Sequence, residues 1–235
     1  MFYKTAVCAA AFSALSTFAF GQGFTGGQLS IEYNAPTSGD DFGGTTYSGG
    51  LEYSINRQFA VAVDASSYRL DNINTTASSF TLHGIYHLSE SASVGAFAGQ
   101  DSASDSNVML CGIEGGTEFS GGVIGGYFAL SNGDSDDATM FGLDASYALN
   151  EAFTIVGDLD VTSLDDDTAT NISVGAEYQM PRGPKFYGHI GSLNADGNGV
   201  GGNETYVGLG ARIEFGAARG TTFDQRSRFE TLAGF

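Results

Sequence analysis

From Thr139 to Val161 the chain reads TMFGLDASYALNEAFTIVGDLDV, with its apolar side chains on alternate residues. Phe141, Leu143, Ala145, Tyr147 and Leu149 share one parity, whereas Gly142, Asp144, Ser146 and Ala148 share the other. After Asn150, Glu151 and Ala152 the alternation resumes with Phe153, Ile155, Gly157, Leu159 and Val161 against Thr154, Val156, Asp158 and Asp160. Successive side chains of a strand point to opposite faces, so the stretch predicts a hairpin with one greasy face and one polar, acidic face. Such a hairpin must hide its apolar face, either in the core of a sandwich or against lipid.

The pattern recurs along the chain. Leu29, Ile31 and Tyr33 open it, followed by Tyr47, Gly49, Leu51, Tyr53 and Ile55 and a short turn at Asn56-Arg57-Gln58. Phe59, Val61, Val63 and Ala65 lead to the polar segment SYRLDNINTTAS, and Phe80, Leu82, Gly84, Tyr86 and Leu88 return to Ser89-Glu90-Ser91. A weaker strand around SVGAFAG passes through QDSASDSN into VMLCGIEGGTEF and the turn Phe119-Ser120-Gly121-Gly122. VIGGYFAL then climbs to SNGDSDDA and the hairpin described above, whose upper loop TSLDDDTA returns through Ile172, Val174, Ala176, Tyr178 and Met180. The turn Pro181-Arg182-Gly183-Pro184 precedes a last pair, KFYGHIGSL and TYVGLGARIEF, joined by NADGNGVGGNE.

These segments predict about 12 strands in which short connections alternate with longer, acidic ones. Tyr53, Tyr86, Phe119, Tyr147, Tyr178 and, on the last strand, Phe215 stand at one level, as an interfacial aromatic girdle would. A secreted β-sandwich is the competing fold, with the aromatics as core. Sandwiches mix hairpins with crossing connections, however, whereas an up-and-down barrel alternates near and far turns. The pattern therefore favours an all-β, up-and-down antiparallel transmembrane β-barrel with short periplasmic turns and longer acidic extracellular loops.

The N-terminus has another character. Lys4 precedes the apolar run AVCAAAFSALSTFAF and the small-residue site Ala19-Phe20-Gly21, the pattern of a signal peptide over residues 1–21. Its removal takes Cys8 and leaves Cys111, which cannot form an internal disulfide and is expected as a small buried hydrophobe. The mature chain then has eight basic residues against 27 acidic ones, a net charge of −19. Nucleic acid and anionic surfaces reward clustered Lys and Arg, so this balance argues against them and favours cations, or simply soluble loops.

At LEYSIN, DASYALN, GAEYQM and GARIEF the chain resembles small Gram-negative outer-membrane barrels, in particular the porin-like proteins of the porin superfamily. The resemblance covers nearly all of the mature chain and implies an outer-membrane, multi-pass β-barrel in contact with outer-membrane lipids and lipopolysaccharide. It also implies delivery by the barrel-assembly machinery, which reads an aromatic-ended last strand, here ending at Phe215. The barrel is thus expected over residues 22–215, and residues 216–235, which lack sustained alternation, as a C-terminal periplasmic tail. The porins it resembles narrow their channel with a long inward third loop, for which QDSASDSN is too short.

The polar parity supplies candidate pore-lining residues: Glu32, Glu52, Asp64, His83, His87 and Glu114 in the first half, and Asp144, Asp158, Asp160, Glu177, Arg212 and Glu214 in the second. A barrel of about 12 strands lies between those filled by side chains and those holding aqueous channels. An open pore of this composition would pass small hydrophilic solutes and prefer cations. Alternatively, the carboxylates pair with Arg212, water and hydroxyls in a closed polar core, and the protein is a non-conducting structural or adhesive barrel. No enzyme or cofactor is expected, because no nucleophile motif accompanies the histidines. His83 and His87, four apart on a strand, stand about 13 Å apart and form no chelating pair. The same geometry gives no reason to place a metal at His189. Asn194, Asp196, Asn198 and Gly199 resemble the start of an EF-hand loop, but Glu204 falls one residue short of the closing position. Asp134, Asp136, Asp137 and Asp165 to Asp167 carry no ligand spacing, and the paired glycines such as Gly115-Gly116 and Gly125-Gly126 fit relief of barrel curvature.

Overall fold

The computed structural model describes residues 23–38, 43–70, 76–104, 106–133, 137–164, 167–196, 202–216 and 221–231. Among them are twelve strands: β1 (Phe24–Pro36), β2 (Gly44–Ser54), β3 (Phe59–Leu70), β4 (Thr76–His87), β5 (Ala92–Ala103), β6 (Ser106–Phe119), β7 (Gly122–Gly133), β8 (Ala138–Ala148), β9 (Phe153–Leu164), β10 (Asp167–Gln179), β11 (Lys185–Asp196) and β12 (Gly202–Gly216). A helical turn, α1 (Arg228–Thr231), follows. Each strand pairs antiparallel with its sequence neighbours, and β1 pairs with β12 from Gly26↔Gly216 to Pro36↔Tyr206. The sheet therefore closes on itself in the up-and-down order that the alternation predicts, and no edge is left open.

Burial follows the same period. Leu143 and Ile155 are 44% and 43% exposed, while the inward Asp64 and His83 are 2% and 0% exposed. This distribution inverts that of a soluble protein, because lipid, not a protein core, covers the outer apolar face. The hairpin of β8 and β9 keeps its predicted register, with Asp144 opposite Asp158 and Leu143 opposite Leu159.

The short turns have a repeated local cause. In the connections after β2 and β8, Asn56 and Asn150 each accept two backbone N–H groups through Oδ1, at 2.8 and 3.0 Å for Asn56 and at 2.9 and 3.0 Å for Asn150. An Asx side chain that caps its own turn fixes the register of both hairpins. Between β6 and β7 the turn is Ser120-Gly121, and Gly121 has φ of 86°, where a Cβ would be strained. At this end Phe59 meets Tyr86 with ring centroids 4.9 Å apart, and Phe153 meets Tyr178 at 5.1 Å, so Tyr86 and Tyr178 of the girdle each belong to a cross-strand pair.

Bulky inward side chains sit opposite glycines: Phe97↔Gly112, Tyr127↔Gly142, Tyr187↔Gly210 and Tyr206↔Gly191. At each of those glycines an added Cβ would collide with the facing ring. Glycine here leaves room for an aromatic to lie across the inner wall. Phe97, Leu110, Tyr127, Ala129 and Met140 form a buried apolar cluster inside the barrel.

Three expectations are corrected. The strands run further than the polar sequence indicated: QDSASDSN belongs largely to β5 and β6, leaving only residues 104–105 between them. Cys111 is exposed on the outer face, in parity with Met109 and Ile113, and not buried within protein. The described part of the tail, residues 221–231, packs against inward-facing side chains of the barrel, where Phe223, Gln225, Arg226 and Ser227 are buried, rather than extending away on the periplasmic side. The signal peptide and the aspartates at 134, 136, 165 and 166 lie outside the described residues.

Leu143→Arg, on the lipid face near mid-strand, should cost about 2–4 kcal/mol, and Ser146→Arg, which faces inward, much less. Urea titration of the protein folded into vesicles distinguishes them, and equal costs would contradict the assignment of faces.

Candidate functional site: the acidic lumen

The twelve candidate residues all lie on the inward parity, but they divide into two environments. A cavity of about 870 Å³ remains inside the barrel, and it is lined by Glu32, Asp64, His87, Asp144, Asp158, Asp160, Glu177, Arg212 and Glu214. Glu52 and Glu114 are instead bonded by the C-terminal segment, and His83 is buried against Glu114.

On the β2–β6 side the wall is a set of acceptors and hydroxyl donors engaged by that segment. Glu52 accepts the Thr222 N–H at 2.6 Å and the Thr25 hydroxyl at 2.9 Å. Asp101 accepts the Ser227 hydroxyl at 3.0 Å and the Arg228 N–H at 2.7 Å. Thr81 donates to the Arg226 carbonyl at 2.8 Å, and Ser66 bonds to Gln225. Glu114 holds Arg226 Nε at 3.1 Å through one oxygen and His83 Nδ1 at 2.6 Å through the other. The far ring nitrogen of His83 lies 3.1 Å from Asp64. Asp64, His83, Glu114 and Arg226 thus form a charge-complementary set of two acids and two bases, the arrangement that makes buried ionic groups tolerable. The Arg226 guanidinium carbon also lies 4.5 Å from the Tyr127 ring centroid, a cation–π distance.

The opposite side, from β8 round to β1, lines the cavity and is more open. Asp144 and Asp158 are directly opposite across the β8–β9 pair. Asp158 accepts the Ser173 hydroxyl at 3.0 Å, and Asp160 accepts the Tyr127 hydroxyl at 2.8 Å. Arg212 pairs with Glu177 at 2.6 Å and Glu214 at 3.1 Å, and Lys185 pairs with Glu214 at 2.8 Å. His189 lies 3.2 Å from Asn34 Oδ1 and 3.9 Å from Glu32. Arg212 and Lys185 are therefore committed to Glu177 and Glu214, while Asp158 and Asp160 face the cavity with hydroxyl partners and Asp144 faces it beside Gly125.

The histidines are dispersed. His83 is enclosed by Asp64 and Glu114, and His87, near the short-turn end, bonds Ser93 at 2.8 Å. Among the described residues no His, Cys, Asp and Glu group has a metal-binding arrangement. Asn194 and Asp196 belong to strand β11, and Glu204 accepts the Ser38 hydroxyl at 2.6 Å. Inspection of the sequence missed Asp101, Tyr127, Lys185 and Tyr187 as lumenal groups. For Tyr127 the opposite parity of Ile124, Phe128 and Leu130 was an available signal.

A closed antiparallel barrel with a lipid-type exterior and a charged interior defines an outer-membrane β-barrel protein. The chain belongs to the family described as "Outer membrane protein beta-barrel domain", which matches residues 5–179. Among solved structures its fold is similar to the KdgM porin, at 10% identity and a TM-score of 0.59 over 80% of this chain and 99% of that one. It is similar also to the NanC porin, at 11% identity and a TM-score of 0.60 over 79% and 98%. A further similar structure is described as the KdgM porin in complex with disordered oligogalacturonate, at 12% identity and a TM-score of 0.58 over 80% and 99%. None of the curated proteins matches the sequence. The chain is thus an outer-membrane β-barrel protein whose fold is similar to that of these porins.

Tyr127→Phe keeps the ring beneath Arg226 and removes only the hydroxyl donated to Asp160. It should destabilise the folded barrel by about 1.5–3 kcal/mol, the range for a hydrogen bond to a charged group. The urea midpoint of refolding measures it, and no shift would show that the hydroxyl contributes nothing to Asp160.

Proposed function

We propose that the protein is a porin-like conduit through which small hydrophilic solutes cross the outer membrane without an energy source, with a preference for cations. The observation that carries this reading is the 870 Å³ lumenal cavity whose β8–β9 wall presents Asp144, Asp158 and Asp160. Charges that line a narrow aqueous path set its ionic preference, because field lines concentrate between low-dielectric walls. The likeness of fold to the KdgM and NanC porins supports a conduit. The solute in the KdgM complex does not carry over: a chain of galacturonate carboxylates would here face aspartates.

A second reading, a non-conducting structural or adhesive barrel, is favoured by one observation, the presence of residues 221–231 inside the lumen. Conductance in a planar bilayer under a salt gradient separates the two. Discrete steps with a reversal potential on the cation side support the conduit. A folded, heat-modifiable chain that never conducts, even with its tail unseated, supports the structural barrel.

Charge substitutions should move the selectivity in both directions. Asp158→Asn with Asp160→Asn should reduce the cation-to-anion permeability ratio about two- to fivefold, by the loss of lumenal field. Arg212→Gln, which frees Glu177 and leaves Glu214 with Lys185 alone, should raise it. Reversal potentials measure both, and unchanged values in all three variants would contradict an acidic conducting path.

A further inference from the structure

We propose that the inner wall of β2–β6 is a binding site for the chain's own residues 221–229, and that this segment is a tethered plug whose seating closes the lumenal path. The second half of the statement rests on the conduit reading; the first does not.

The ladder is complete without the segment. Strand pairing runs round the barrel from β1 to β12 and ends at Gly216, so residues 221–229 contribute no strand to it. Three of their backbone polar groups are met by side chains of the wall and two by hydroxyls of the segment itself. Glu52 and Asp101 accept the N–H groups of Thr222 and Arg228, and Thr81 donates to the carbonyl of Arg226. The segment can therefore leave without opening a sheet edge to lipid.

The wall is shaped for this occupant. Phe223, 5% exposed, packs with Ala60, Ala62 and Ile85. A Cβ added at Gly95 would stand 2.9 Å from the Phe223 ring, and one at Gly116 would stand 3.7 Å away. Small inward residues on β3, β5 and β6 thus leave a socket that an aromatic side chain fills. Arg226 complements the site by charge, because Glu114 sits between it and His83. Beyond Ser227, the Phe229 ring lies 5.2 Å from that of Tyr68, and α1 contacts β9 and β10 across the lumen. The segment spans from one wall to the other, as a plug must. When it leaves, Glu52, Asp101 and Glu114 face the widened path, and the segment's own Asp224, Arg226, Arg228 and Glu230 go with it.

The test uses the full chain with Cys111→Ala and Ser227→Cys, folded in vesicles. A membrane-impermeant maleimide reports whether position 227 is covered, and planar-bilayer recording reports the path. Gly95→Val, which fills the socket from the wall, and Arg226→Glu, which breaks the pair from the segment, should each raise the labelling rate at least tenfold. Open time, recorded in the same two substitutions without the added cysteine, should rise with it. Heat-modifiable mobility establishes that each variant is folded. Labelling unchanged in both folded variants would overturn the binding site. Faster labelling with no conductance would retain the site and defeat the conduit reading. Faster labelling over a conductance already present and unaltered would overturn the role in closure.

Discussion

The structure depends on one requirement: in hydrocarbon every backbone N–H and C=O must find a partner within the protein. A sheet meets it only by closure, and the pairing of β1 with β12 over eleven register positions supplies that closure. Its consequences reach each strand. The outer parity must be apolar, as Leu143, Ile155 and Leu209 are, and the inner parity is free to be polar because it faces the lumen. Asp64, Asp144 and Asp158 can therefore stand on strands without meeting lipid.

Freedom from lipid does not make a charged lumen stable. A buried carboxylate without a partner is costly, and the interior answers this in two ways. Between β10 and β12, Glu177 and Glu214 are met by Arg212 and Lys185 from the wall itself. Between β3 and β6, His83 supplies one base and the C-terminal segment supplies the other as Arg226. The segment is thus part of the charge balance of the interior as well as an obstruction in it. Around β8 and β9, among the described residues, Asp144 has the field of Arg226 but no direct ion pair, and this is the face left open to the cavity.

The fold was largely legible because closure imposes a period of two and the short turns interrupt it at regular intervals. The parity of Leu143 and Tyr147 named the lipid face, and the girdle from Tyr53 to Phe215 named the level of the short turns. Polar strand ends were less legible. In QDSASDSN the alternation persists in space, with Asp101 inward, but no apolar residue marks the outer parity, so the segment reads as loop. Cys111 shows the converse difficulty: its parity with Met109 and Ile113 is apolar, and an apolar environment made of lipid looks in sequence like one made of protein. The lumenal site was legible as a set of inward acids, but not as two environments. That division comes from residues 221–231, in which Phe223 and Arg226 have no strand period and are positioned by long-range contacts with Glu114 and the socket near Gly95.

The most direct test of this account is amide hydrogen–deuterium exchange of the folded full-length chain in detergent, resolved by peptide. The account predicts slow exchange in β1 and β12 and also in residues 222–228, whose Thr222 and Arg228 amides are held by Glu52 and Asp101. Protected strands beside a C-terminal segment that exchanges as freely as an unfolded chain would contradict it.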